Sequence, residues 1–401
     1  MTLFRYGPQV CGSLDAGARR EWLLTDGRGG YAMGTASGLR TRRYHGLLVV
    51  ASGVPARRHV ALVSLDPIVV LESGAQVRLA THEWASAVVA PQGHELLASF
   101  EVADGLPTWR WRIGDVVLER TVAMRHGEPG VAVVHTLVAG GPVRLVVEPL
   151  CTWRDGHGER AAGDLPVEHT GDGFVVAGAY RVRGPAFAPD GEWYRQVWHR
   201  EEAARGLNAS EDLFRPGQFA AHLRAGQRLE ISAWAGDREA LAADAPPAAD
   251  VVTAARRRHQ ELAAPGGDML TRALRLAADA FIMTTATGPD VVAGYPWFGA
   301  WSRDTMIAYP GLFLATGRVD QGRELLRGYA RTLSAGMLAN TADTGRVEHN
   351  TADATLWFLH AVDRHVHHTG DTDLAAELVD ALDQVVRHHR AGTRYGIRVD
   401  P

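Results

Sequence analysis

Tyr295-Pro-Trp-Phe-Gly-Ala-Trp-Ser-Arg-Asp304 brings two indoles, a guanidinium and a carboxylate into one short stretch. A sugar, with apolar C–H faces and a rim of hydroxyls, is the ligand that such a set matches. Trp297 and Trp301 supply flat platforms. Arg303 offers a fixed fork of donors, and Asp304 offers two acceptor oxygens for vicinal hydroxyls. Local structure explains the same residues without a ligand: Ser302 caps a helix, Asp304 sits at its positive end, and the tryptophans are core. Both readings stand at this level. Glu348-His-Asn-Thr-Ala-Asp353 is a second stretch of this kind. Glu348, Asn350 and Asp353 read as polar groups on the rim of the same pocket. Asn350 and Asp353 also read as the reciprocal partners of a variant capping box. The two are compatible, because a helix N-terminus turns its free N–H groups toward the pocket. Acids on one rim bear on glycoside cleavage, for which inverting enzymes hold their carboxyls about 6.5–9.5 Å apart.

Other clusters carry less. His365, His367, His368, His388 and His389 form no H-E-x-x-H pattern and have no cysteine pair nearby, so they read as a solvated face and no metal is expected. Gly27-Arg-Gly-Gly-Tyr31 is glycine-rich but neither follows a clear strand nor opens a clear helix, and a dinucleotide site fails on that context. The arginines of Arg40-Thr-Arg-Arg-Tyr-His-Gly46 are expected to pack a domain interface or one wall of a pocket. Cys151-Thr-Trp-Arg-Asp-Gly-His157 and Glu192-Trp-Tyr-Arg195 read as polar, aromatic loops, either rims over a pocket mouth or ordinary turns.

The elements that must hold these residues change character along the chain. Leu47–Val50, Ile68–Leu71, Val131–Val134 and Leu145–Val147 are short apolar runs punctuated by Gly, Pro and Asp, and Thr108–Ile113 alternates strictly, with Trp109, Trp111 and Ile113 on one face. Residues 1–236 are therefore expected to form an antiparallel β-sandwich. Residues 237–266 read as a helical linker. From Gly267 the period becomes helical. Asp268 caps a helix whose Leu270, Leu274, Ala277 and Phe281 share a face. Further helices are expected from Ser302, through Leu325, Tyr329, Leu333 and Met337, from Asn350, and after Asp371. Residues 267–401 thus read as an α/α toroid that is incomplete.

Composition narrows the chemistry. The formal net charge of −4 offers no field for nucleic acid or anionic lipid. All 42 basic residues other than histidine are arginine. Schiff-base catalysis and a phosphate-loop lysine are thereby excluded. The two cysteines, Cys11 and Cys151, fit no metal or redox spacing and read as buried thiols. The first residues lack the apolar core of a signal peptide, and no run reaches the length that spans a bilayer. A cytoplasmic protein without a membrane partner or organic cofactor is expected.

Three blocks resemble the bacterial and archaeal glycogen debranching enzyme family. They are Glu21–Tyr31 with Arg42–Leu48, Trp193–Tyr194 with Glu202–Gly206 and Glu211–Gly217, and Gly294–Gly299 with Arg303–Ile307 and Asn350–Phe358. The Trp-x-Arg-Asp element is also similar to that of glucoamylases. The resemblance implies a β-sandwich followed by an (α/α)6 barrel, and an amylo-α-1,6-glucosidase acting on glycogen or a branched α-glucan. Trp301, Arg303 and Asp304 would grip the glucose beside the scissile bond, and Asn350 and Asp353 would line the same pocket. The likeness departs at Ala300 and Ser302, where an acid and a glycine are usual, and at Leu338-Ala-Asn340, Asp26 and His349. It also places the general acid and base after the fifth helix, beyond Pro401, so no catalytic residue is assigned. Alternatives are an inactive or glucan-binding fragment, a glucoamylase-like α-1,4-glucosidase, and a glycoside phosphorylase.

Overall fold

The computed structural model describes residues 2–53, 57–264, 266–340 and 347–400; Pro265, in the expected linker, lies outside them. Two compact units are distinguished. One comprises Met1–Asp26, Gly30–Ala51 and Arg58–Arg272, and the other Gly27–Gly29, Ser52–Arg57 and Ala273–Pro401. No helix among the described residues is long and apolar enough to cross a membrane.

The first unit is built from two antiparallel sheets. One runs in the order 2–6, 97–103, 106–113, 116–124, 130–139, 228–235, 180–183, 173–176, 167–170. The other runs 188–198, 210–223, 143–155, 57–70, 46–52, 31–35, 21–25. The alternation read at Thr108–Ile113 has its expected consequence: Trp109 and Trp111 are buried while Arg112 is exposed. Trp109 joins the sheets. Its ring lies edge-on to Trp22 of the other sheet at 5.3 Å, and its Nε1 donates to the Ala36 carbonyl at 3.0 Å. Tyr180 crosses the same way, donating to the carbonyls of Ala61 and Thr152 at 3.0 Å. Helix α1 (Ala248–Ala263) lays Ala248, Val251 and Val252 into this core. Both cysteines are buried and unbridged, and burial pushes the Cys151 thiol up to about 12.

Arg40 and Arg43 are buried inside this unit. Glu211, fully enclosed, accepts from Arg40 at 2.8 Å, Arg154 at 2.6 Å and His199 at 3.1 Å. Arg43 pairs with Glu159 and lies 3.6 Å from Glu202.

Helix α2 (Met269–Phe281) begins in the last residues of the first unit and continues into the second, where a three-stranded sheet of 282–285, 288–294 and 298–300 follows. Next come α3 (Ser302–Tyr309), α4 (Val319–Ala330), α5 (Ala354–Thr369) and α6 (Thr372–Ala391). Asp268 caps α2 through the Thr271 N–H at 2.8 Å, as expected, and α6 follows Asp371, as expected, with Asp371 capping it through Leu374 at 3.0 Å. Gly370 ends α5 in the left-handed region at φ 74°, where a side chain would be strained. Met306, Tyr309, Phe313, Leu325, Leu326, Phe358, Leu374 and Leu378 form one core.

Several expectations are corrected. The small sheet at 282–300 was not read from the sequence, because its strands are short and broken by Gly and Pro. The apolar stripe of α2 is only partly covered: Leu270 and Leu274 are 65% and 59% exposed, while Phe281 packs against the core. Leu333 and Met337 follow α4 instead of extending it, since the helix ends at Ala330. The capping box at Asn350–Asp353 does not form. Helix α5 begins at Ala354, after the box; Asp353 at its N-cap is in the αR region rather than the extended conformation a capping side chain needs, and it pairs with Arg303 instead. The histidines are not one solvated face. His365 and His389 are buried, and His365 Nδ1 is hydrogen-bonded to the Tyr309 hydroxyl at 2.7 Å.

Candidate functional site

The tip of the small sheet positions the first aromatic residues. Val292 pairs with Ala300 and Gly294 with Phe298, so Tyr295–Trp297 form the turn of a hairpin. Trp297 is half-buried there and Phe298 is exposed. Trp301 follows in extended geometry, at φ −125° and ψ 118°, and its carbonyl accepts the first helical bond, from Thr305 at 2.9 Å. Trp301 is therefore the cap position of α3. Ser302 is not the cap expected of it, because its side chain is bound elsewhere.

That partner is Asn340, a residue whose role the sequence reading missed. Its Oδ1 accepts from the Ser302 N–H at 2.8 Å and from the Ser302 hydroxyl at 2.6 Å. Its Nδ2 donates to Asn350 Oδ1 at 2.6 Å, and Asn350 Nδ2 donates in turn to Glu348 Oε2 at 2.7 Å. Backbone bonds between Asn340 and Glu348, at 2.6 and 3.0 Å, fasten the two segments together. The sequence signals were an asparagine in an apolar context, Met337-Leu-Ala-Asn340, and the place of Leu338-Ala-Asn340 in the resemblance. A buried amide needs several partners, and here its donors and acceptors are committed on both sides.

The charged groups lie outside this relay. Arg303 Nε is 3.2 Å from Asp353 Oδ2, with side chains 54% and 42% exposed. Asp304 is exposed in the first turn of α3, with no ion pair or side-chain hydrogen bond among the described residues. The structure thus pairs Arg303 with Asp353 and Asn350 with Glu348, while Trp297, Trp301 and Asp304 make none of these polar contacts. Two further atoms, His349 Nε2 and Thr351 Oγ1, are buried without a hydrogen-bond partner. Behind α3 the Tyr329 hydroxyl donates to Asp290 Oδ1 at 2.8 Å. Burial pushes the Asp290 carboxyl up to about 6, against the pull of that bond and of the Val291 N–H.

This set can hold a polyhydroxylated ligand: a cation, open acceptors and flat aromatic surfaces stand on a braced loop-to-helix junction. Comparison with known proteins gives the same direction. Residues 20–230 match the family described as glycogen debranching enzyme N terminal, and residues 276–401 match amylo-alpha-1,6-glucosidase. A glycogen debranching enzyme of Saccharomyces cerevisiae is 36% identical over 85 residues, which are 20% of this chain and 6% of that protein. Two solved structures share the fold. A bacterial glucoamylase complexed with acarbose has a TM-score of 0.53 at 10% identity, over 92% of this chain and 58% of its own. A putative kojibiose phosphorylase from the human microbiome has a TM-score of 0.52 at 9% identity, over 96% and 59%. The chain spans only a small part of the yeast protein and under two thirds of each solved structure. With both halves matched in order, the chain belongs to the glycogen debranching enzyme family.

Proposed function

We propose that Trp297, Trp301, Arg303, Asp304, Glu348, Asn350 and Asp353 bind a terminal glucose of glycogen or a branched α-glucan. The reaction served is inverting hydrolysis of α-1,6-linked glucose stubs. On this reading residues 1–236 are the sandwich, 237–266 a connection, and 267–401 the opening part of an (α/α)6 barrel. The observation that carries it is the braced junction at α3, where the Ser302–Asn340–Asn350–Glu348 relay fixes the loop that presents Arg303 and Asp353. Arg303 then donates to ring hydroxyls, Asp304 accepts from them, and the indoles cover the C–H faces. In such a reaction one carboxyl protonates the leaving oxygen while another activates water on the opposite face. None of the seven residues is assigned either role.

The full-length protein, given a branched limit dextrin, is expected to release glucose, first as the β-anomer by NMR. Arg303→Ala should raise KM about 10- to 100-fold, the scale of a lost charge-assisted hydrogen bond. Its stability should change by no more than about 1 kcal/mol, because the pair with Asp353 is exposed. No glucose from the dextrin would end this reading. Release only in phosphate would indicate a phosphorylase, and preference for linear α-1,4 chains a glucoamylase-like enzyme.

A further inference from the structure

Between the two sheets of the first unit lies a space of about 50 Å³. Six side-chain atoms of the residues lining it are buried without a hydrogen-bond partner: Arg40 Nη1, Arg120 Nε, Trp22 Nε1, Trp111 Nε1, Ser64 Oγ and His82 Nδ1. Four of these are donors that cannot accept. An orphaned buried donor costs about 1–3 kcal/mol, so such a concentration in a sandwich core calls for an acceptor.

Arg120 makes the demand specific. Its guanidinium has no ion pair or hydrogen bond among the described residues, and it stands over Trp109 at 4.2 Å and Trp111 at 5.2 Å. Buried His135 lies opposite it in the sheet register and offers no counter-charge. Arg40 already uses two of its nitrogens, on Glu211 at 2.8 Å and the His45 carbonyl at 3.2 Å. Asp66 is the one carboxylate among the described lining residues, and it is engaged with His82 Nε2 at 2.7 Å. The Asp66 charge acts on Arg120 and Arg40 but bonds to neither, so water would satisfy the donors and leave Arg120 without a directly bonded counter-charge; an anion does both. The space holds roughly three or four water-sized positions, which suits a small ion and is too small for a glucose ring.

We propose that the sandwich interior binds a small tetrahedral oxyanion, inorganic phosphate or sulfate, held by the free N–H groups of Arg40, Arg120, Trp22 and Trp111. The Ser64 hydroxyl donates to the same ion. Because the donors come from both sheets, occupancy ties the sheets together.

The test uses the 401-residue chain. Phosphate or sulfate is titrated in the millimolar range at ionic strength fixed with sodium chloride, while thermal unfolding and tryptophan fluorescence are followed. A saturable rise in midpoint of roughly 2–4 °C is expected. A parallel fluorescence change should accompany it, since Trp22, Trp109 and Trp111 line the space. Arg120→Met keeps an unbranched side chain over the indoles, removes the charge, and should abolish the rise. Ser64→Ala, a smaller change, should raise the half-saturating concentration about tenfold, one lost hydrogen bond to a charged group. A midpoint that climbs without saturating reflects general salt exclusion and overturns the proposal. So does a rise that Arg120→Met retains, or one that glucose produces instead. If Arg120→Met does not fold, Ser64→Ala decides: an unchanged half-saturation overturns the site.

Discussion

Asn340 shows how much of the candidate site depends on a single side chain that does not face the ligand. Its amide holds both donors of Ser302, the N–H and the hydroxyl, and the amide of Asn350. Truncation would leave these groups unpaired in a buried setting. Asn340→Ala should therefore cost about 2–3 kcal/mol in urea unfolding and weaken glucan binding through Glu348 and Asn350. A loss below about 0.5 kcal/mol would show that the relay is not a structural brace. Arg303 and Asp353 were candidates from residue type and resemblance, but their pairing with each other was not legible, because they lie far apart in the chain. Nor was the role of Asn340, because its partners lie 38 and 10 residues away. The missed cap follows from the same fact. Ser302 has the chemistry of a cap, but a better partner takes its hydroxyl.

At the scale of the element, periodicity identified where helices run but not which faces are covered. Helix α2 has the strongest amphipathic pattern of its neighbours, yet Met269, Leu270 and Leu274 are exposed. In α4 the equivalent pattern puts Leu325 and Leu326 in the core at 1% and 0% exposure. Leu274→Ser should accordingly change stability by at most about 0.5 kcal/mol, against about 2–5 kcal/mol for Leu325→Ala. Equal losses in urea unfolding of the 401-residue chain would mean that the α2 stripe is covered in solution. The small sheet at 282–300 is the converse case. Its strands are too short for a period to declare itself, and only tertiary pairing makes the hairpin that carries Trp297.

For the whole molecule, the titratable groups of the sandwich interior set a direction for acid sensitivity. Burial, aided by the charge of Arg120, holds His135 down at about 3; burial and the charge of Arg40 hold His199 at about 4. Both stay neutral in the fold, while the unfolded chain takes up their protons near pH 6.5. Their contribution is complete above that pH and is lost as pH falls toward the folded values. Glu211 acts in the same sense: burial raises it, but Arg154, His199 and Arg40 together hold it well below the usual range. Between pH 7 and pH 5 each of the two histidines should remove about 2 kcal/mol. Urea unfolding of the first unit, followed by tryptophan fluorescence, should show this slope, and His135→Phe should reduce it. A stability that is flat over that range would contradict the neutral, buried histidines.

The amino-acid sequence by itself determined the change from strand period to helix period, the buried alternation of the tryptophan strand, the cap at Asp268, the helix after Asp371, and the family. These are local or compositional properties: each depends on residues within a few positions of one another, or on motifs that survive as contiguous blocks. Only the tertiary structure decided which partners the polar side chains take. Asp353 turned from a cap to Arg303, Ser302 to Asn340, and Arg40 to a carboxylate 171 residues away. It also gathered Arg120 and the unsatisfied donors of two sheets around one space. Hydrogen bonds and charges are satisfied by whatever packing brings near, and no spacing along the chain encodes that choice.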